Sequence, residues 1–181
     1  QKTNFFLIFF LSIFSFFINK YYANIGVEPM DTFVLYNGGY KVLNGLIPFQ
    51  DYWLTTGPLM DYINAFFFWI GGVNWSTYTT HSSIFNSIIT VLTYLFFNAL
   101  GSNKYFSFFF SLMFSLLMYP IIGTPFVDHH STIFLLISFY LFIVAIKKEN
   151  FKLFIYLPTI LIIAFLCKQT PAAYGIITIS L

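Results

Sequence analysis

Residues 29–72 read PMDTFVLYNGGYKVLNGLIPFQDYWLTTGPLMDYINAFFFWIGG. The stretch is too polar in its first half to cross a membrane, yet long apolar runs flank it on both sides. Pro29-Met30-Asp31-Thr32 reads as a helix start, with Asp31 as N-cap or first-turn acid. Phe33, Tyr36, Tyr40, Leu43 and Ile47 then recur at spacings of three and four. They give one apolar face, suited to a helix lying in an interface plane. Gly38 and Gly39 each weaken that helix by about 1 kcal/mol relative to Ala, so packing must support it. Asn44-Gly45 ends it. Ile47 to Trp53 forms a loop with aromatic anchors, and Gly57-Pro58 opens a second helix with Pro in its first turn. That helix stops at Gly71-Gly72. At about 12 residues it measures roughly 18 Å, against about 30 Å of hydrocarbon, and it carries Asp61 and Asn64. It reads as a dipping, juxtamembrane helix; a tilted crossing extended to Trp75 is the alternative.

The rest of the chain fits that frame. Its 181 residues are 59% hydrophobic and 24% aromatic, and only 8% are charged. Soluble chains carry about a quarter charged residues, so the composition excludes a soluble globular domain, a disordered chain and a nucleic-acid binder. All eight basic residues are Lys, so there is no Arg to make a bidentate fork. A single cysteine, Cys167, excludes an internal disulfide and a Cys-rich metal site. The predicted fold class is all-α: a polytopic transmembrane helical protein with interfacial juxtamembrane helices in its first extracytoplasmic loop. Spans are predicted at 3–22, 82–100, 105–122, 131–146, and 153–167 and onward, with the loop at 23–81. A first residue of Gln and an apolar last stretch suggest the N-terminal part of one longer membrane domain.

Lysines sort the topologies. If residues 58–72 dip and the N-terminus is cytoplasmic, Lys2, Lys104, Lys147, Lys148 and Lys152 lie inside. Lys20, Lys41 and Lys168 then lie outside. If the segment crosses and the N-terminus is outside, six lysines lie inside, so charge alone slightly prefers the crossing.

Ionisable groups at membrane depth are costly and default to functional candidates. Glu28 and Asp31 are three apart and can share a helix-start face. Asp51 sits in the aromatic loop, where it can simply keep the loop hydrated. Asp128 opens Asp128-His129-His130 at the mouth of the fourth span, as a cap or as a site residue. His129 and His130 invite a metal reading, but adjacent helical residues point about 100° apart and chelate poorly. His81 stands alone at a span entrance and reads as interfacial. Lys168 follows a long apolar run and precedes a break; it snorkels to headgroups or awaits an anion. In the dipping arrangement Asp31, Asp51, Asp128 and Lys168 share the outer face. A carboxylate there can take an acceptor's proton, and a lysine can neutralise a departing phosphate.

These residues resemble a family. A first span is followed by Glu28-Pro29-Met30-Asp31-Thr32, an interfacial helix, and Asn44-Gly45-Leu46-Ile47-Pro48-Phe49-Gln50-Asp51-Tyr52-Trp53. Gly57-Pro58-Leu59 and an aromatic helix ending Gly71-Gly72 come next, then Phe126-Val127-Asp128-His129 and Leu166-Cys167-Lys168-Gln169-Thr170. The succession is similar to the C-type membrane glycosyltransferase superfamily, in its dolichyl-phosphate-mannose protein mannosyltransferase and lipid A aminoarabinose transferase branch. The resemblance implies inverting transfer of a sugar from a polyprenyl-phosphate donor to a glycan, lipid or protein acceptor. It places that site on the extracytoplasmic side of a bacterial inner membrane. By the same resemblance Asp31 is the catalytic base or acceptor contact and Asp128 a second catalytic polar group. Lys168 is a phosphate contact, with Asp51, Glu28 and His129 as substrate-binding candidates. It also implies the dipping arrangement. Thr32 stands where many members have a second acid, and Arg is absent. No ligand set demands a metal, and divalent-metal dependence stays open. The rival functions are a transporter or flippase, or a non-catalytic membrane subunit, for lipid-linked saccharides.

Overall fold

The computed structural model describes residues 2–27 and 29–180. The described residues are helical, with one isolated bridge, between Pro48 and Tyr52. The helices are α1 (Lys2–Tyr22), α2 (Pro29–Leu43), α3 (Leu59–Gly71), α4 (Trp75–Ala99), α5 (Lys104–Leu117), α6 (Val127–Lys147), α7 (Leu157–Cys167) and α8 (Gln169–Ser180). A 3₁₀ turn, Phe151–Tyr156, leads into α7. Among them α1, α4 and α6 are long and apolar enough to cross a membrane.

Several boundaries differ from the sequence reading. α4 begins at Trp75 rather than residue 82, because the Asn74 side chain caps it by accepting from Thr77 N at 2.9 Å. α6 begins at Val127, which puts Asp128 inside its first turn. α5 stops at Leu117 rather than residue 122; Pro120 biases the residue before it away from helix. The predicted fifth span starts as 3₁₀ turns, and Pro158 sits in the first turn of α7. Together those two elements extend about 28 Å.

α1 and α4 lie side by side and antiparallel. Leu7 and Leu11 of α1 pack on Tyr94 near the end of α4. At the opposite end of the bundle Lys20 Nζ donates to Thr79 Oγ1 and Thr80 Oγ1, and Trp75 Nε1 donates to Asn24 Oδ1. Residues 23–74 therefore leave and rejoin the bundle at one end. The α2–loop–α3 hairpin makes no net traverse of the bundle.

The hairpin closes on glycine. A Cβ at Gly38 would strike the Asp61 carboxyl, and one at Gly39 would lie 2.5 Å from Asn64 Cβ and 3.1 Å from Phe68 Cε2. The packing that the two glycines require is thus the close approach of α2 to α3. The apolar face read for α2 points away from the protein, as a helix lying in an interface plane needs, and a second face packs on α3. Phe33, Tyr40, Leu43 and Ile47 are exposed, Tyr36 is half-buried, and Thr32, Leu35, Gly38 and Gly39 face inward.

Polar residues fill the α1–α4–α5 interior. Asn19 Nδ2 donates to Ser82 Oγ, Ser83 Oγ and Gly123 O, and Asn86 Nδ2 donates to Ser15 O and Ser115 O. Ser107, Ser111 and Ser115 form one buried row on α5. Outside stand Phe5, Phe9 and Phe17 of α1 and Phe106, Phe109 and Phe110 of α5. That is the inverse of the sorting expected in water.

Candidate functional site

The hairpin end of the bundle collects the ionisable groups. Asp128 and Lys168 form an ion pair of 2.7 Å, with side chains 37% and 30% exposed. Lys168 is positioned by its backbone. It ends α7 in an extended conformation, its N–H donates to Ala164 O, and its C=O accepts from Ser131 Oγ at 3.1 Å. The break before α8 therefore aims the lysine at the first turn of α6. There Asp128 also meets the favourable end of the helix dipole.

Asp31 lies exposed in the first turn of α2. Its neighbour Thr32 is buried. Thr32 Oγ1 pairs with Thr124 Oγ1 at 3.0 Å, and Thr32 O accepts from Tyr78 OH at 3.0 Å. Those bonds tie the start of α2 to the segment leading into Asp128, so Asp31 and Asp128 share one end of the molecule. They also give Thr32 a reason to be a small hydroxyl where the resembled family often has an acid.

Asp51 serves its own loop: its Oδ2 accepts from Ile47 N at 2.7 Å. The His129 ring lies against Tyr119 and Phe126, with ring centroids 5.0 and 5.5 Å apart, and its buried Nδ1 has no hydrogen-bond partner. Glu28, the remaining candidate, lies outside the described residues.

Two groupings escaped the sequence reading. The first is Tyr52–Asp61. Tyr52 OH donates to Asp61 Oδ2 at 2.7 Å, Lys41 Nζ sits 4.6 Å over the Tyr52 ring, and Asp61 is 2% exposed. Burial raises the Asp61 pKa from 3.8 to about 6, against the opposing pull of Tyr52 and Lys41. Burial, then Asp61, pushes the Tyr52 phenol up, so it stays a donor. The folded chain therefore holds the Asp61 proton more tightly than the unfolded chain. Its contribution to stability is full below about pH 4 and is lost as pH rises through about 6, a swing of about 2–3 kcal/mol. Asp61→Asn should flatten that fall, which unfolding in detergent micelles at pH 4.5 and 7.5 measures. An unchanged pH slope in the variant would show that another group carries it.

The second grouping is a buried chain of hydrogen bonds. His81 is not interfacial: it and His130 are fully buried, with His81 Nε2 2.9 Å from His130 Nε2. The longer α4 places His81 in its second turn. His81 Nδ1 lies 2.7 Å from Asn64 Oδ1, and Asn64 Nδ2 donates to Leu35 O at 3.2 Å. On the other side His130 Nδ1 lies 2.7 Å from Tyr119 OH, which accepts from Phe126 N at 3.0 Å. The chain pins the hairpin (Leu35, Asn64) to α4 and to the start of α6. The His129 and His130 rings both lie against Tyr119, with centroids 5.0 and 5.6 Å away. Among the described residues no three His, Cys, Asp or Glu side chains converge as metal ligands.

Comparison with family models, with curated proteins and with solved structures finds no match to the chain.

Proposed function

We propose that the chain forms a polytopic membrane domain that transfers a sugar from a polyprenyl-phosphate donor to an acceptor at the extracytoplasmic face. The observation that carries the reading is the gathering of Asp31, Asp61, Asp128 and Lys168 at one end of the bundle. Lys104, Lys147, Lys148 and Lys152 stand at or beyond the other end. The lysine-rich end faces the cytoplasm by the positive-inside rule. The Ser/Asn interior and the Phe exterior suit packing among lipid tails, where small polar residues join helices.

In the transfer, an acceptor hydroxyl or amine attacks the anomeric carbon from the face opposite the phosphate. The new bond forms as the carbon–oxygen bond to the lipid phosphate breaks. Asp31, exposed and carrying no hydrogen bond among the described residues, takes the acceptor proton. Lys168 stabilises the departing phosphate, exchanging part of its contact with Asp128 for the phosphate oxygens. A translocator for the same lipid-linked saccharide is the second reading. The Asp128–Lys168 pair favours it, because a lysine already neutralised needs no chemical step.

Two measurements test the reading. In a Cys167→Ala background, Asn44→Cys and Ile121→Cys should label with a membrane-impermeant thiol reagent from outside intact cells, while Asn150→Cys should not. Labelling of Asn150→Cys together with either of the others would refute the orientation. Asp31→Asn should then lower sugar transfer by about 10²–10⁴-fold, the worth of a general base. A variant that still transfers sugar like wild type would remove Asp31 from the chemistry. One that moves lipid-linked saccharide normally, from a wild type that transfers none, would favour the translocator.

A further inference from the structure

Lys20, at the end of α1, is not used by the proposed transfer. Its ammonium donates to Thr79 Oγ1 at 2.7 Å, Thr80 Oγ1 at 2.8 Å, Ser76 Oγ at 3.3 Å and the Ser76 carbonyl. All these acceptors are neutral, and among the described residues no carboxylate lies within 4.0 Å of Nζ. Four neutral oxygens fix the charge in place without cancelling it.

Two grooves lie close to this point. One, of about 510 Å³, lies between α3 and α4 and is lined by Phe66, Phe67, Ile70, Thr80 and Ile84. The other, of about 400 Å³, lies between α1 and α4 and is lined by Ile13, Phe16, Phe17, Ser87 and Ile88, again with Ile84. Ser76 and Thr80, which hold the ammonium, line the first. Phe16 and Phe17, one turn before Lys20 on α1, line the second. The lysine thus stands at the head of the first groove and one helical turn along α1 from the second, and Ile84 lines both. Tyr21, exposed, follows Lys20 on α1, and Trp75, which donates to Asn24 Oδ1, precedes Ser76 on α4, the residue types found at a headgroup boundary.

We propose that this is a binding site for one anionic diacyl phospholipid, its phosphodiester on Lys20 and one acyl chain in each groove. The proposal rests on the membrane reading above. Charge selects the headgroup: one uncompensated ammonium matches the single negative charge of a phosphodiester, where a phosphomonoester would leave excess negative charge. Two apolar grooves close to one cation select a two-chain lipid. The Ser76 hydroxyl supplies a donor to the phosphate once it draws the ammonium outward, while the Thr80 hydroxyl gives its proton to the Ser76 carbonyl at 2.8 Å.

The test reconstitutes the full chain in nanodiscs of phosphatidylcholine with a minor fraction of phosphatidylglycerol and counts retained lipids by native mass spectrometry. Wild type should keep one phosphatidylglycerol per chain in preference to phosphatidylcholine. Lys20→Gln should lower that preference about fivefold, the factor for about 1 kcal/mol per lysine near an anionic lipid surface, and Lys20→Arg should keep it. Ile84→Trp, which enlarges a side chain lining both grooves, should lower retention of both lipids while Lys20 is intact. Retention in the bath ratio by wild type, or an unchanged preference in Lys20→Gln, overturns the site. Stoichiometric displacement by farnesyl phosphate overturns the phosphodiester assignment. A chain that separates from lipid on flotation overturns the membrane reading itself, a result distinguishable from the others before any lipid is counted.

Discussion

His130→Leu is expected to destabilise the bundle by about 2–6 kcal/mol, since it orphans two buried polar groups at about 1–3 kcal/mol each. The groups are His81 Nε2 and the Tyr119 hydroxyl, 2.9 and 2.7 Å from the His130 ring nitrogens. Proton placement makes the loss specific. Leu35 O can only accept, so it takes an Asn64 amide hydrogen, which turns Asn64 Oδ1 toward His81. His81 must then carry its proton on Nδ1, leaving Nε2 to accept from a proton on His130 Nε2. His130 Nδ1 in turn accepts the Tyr119 hydroxyl proton, and the Tyr119 oxygen accepts Phe126 N–H. The opposite placement would let His130 Nδ1 serve Phe126 O at 3.1 Å. It would also set two acceptors face to face at either Asn64–His81 or Asn64–Leu35. Nitrogen-15 NMR of labelled histidines should therefore find the Nδ1–H tautomer at His81 and the Nε2–H tautomer at His130. In a double-mutant cycle, His81→Leu should cost less in a His130→Leu background than alone, because its orphan is already made. Interhelical polar contacts in lipid average only about 0.6 kcal/mol. A coupling above about 1.5 kcal/mol would mark a shared chain, and additivity within about 0.5 kcal/mol would refute it.

Much of the fold was legible in the sequence because length and apolarity suffice for a long helix. The runs that became α1, α4 and α6 stood out, and so did the polar hairpin between the first two. The inward face of α2 did not. Phe33, Tyr40 and Leu43 repeat at helical spacing whether they meet protein or lipid, so apolar periodicity loses its meaning as a burial signal outside water. The informative signal was the polar one: Ser107, Ser111 and Ser115 on α5, four apart, and Gly38-Gly39 on α2 mark the packed faces. Misreading the α4 start had a chemical consequence. Without Asn74 recognised as its cap, His81 stayed at an entrance instead of entering the second turn, and its partnership with His130 could not be seen. Asp128 and Lys168 were each legible as costly charges, but their pairing spans 40 residues and follows from the α6–α7 packing, which no local pattern encodes.

Gly39→Leu is expected to separate α2 from α3, at about 1–3 kcal/mol for overpacking and more where backbone blocks relief. Two effects compete at this position. Leu gains about 1 kcal/mol of helix propensity over Gly. Against that, even a methyl at Gly39 meets Asn64 Cβ at 2.5 Å and the Asn64 carbonyl carbon at 3.2 Å, groups that cannot swing aside as a long side chain would. Asn64 is fixed twice over, to Leu35 O and to His81, so the steric cost wins and the buried chain of hydrogen bonds is strained with it. Gly38→Ala should be milder, because its obstacle is the Asp61 carboxyl. That carboxyl can rotate at the expense of the Tyr52 hydrogen bond. Asn37→Leu, on the exposed side of the same helix, supplies the control: it gains propensity and meets no wall, so it should stabilise by a few tenths of a kcal/mol. Hydrogen exchange reads the difference locally. Gly39→Leu should lose protection throughout α2 and the first turns of α3, while the α1–α4–α5 interior, held by Asn19 and Asn86, keeps its own. Equal protection of α2 in Gly39→Leu and Asn37→Leu would mean that the hairpin does not depend on the glycine contact. The proposal that the packed hairpin holds Asp31 at the Asp128 end of the bundle would then lose its support.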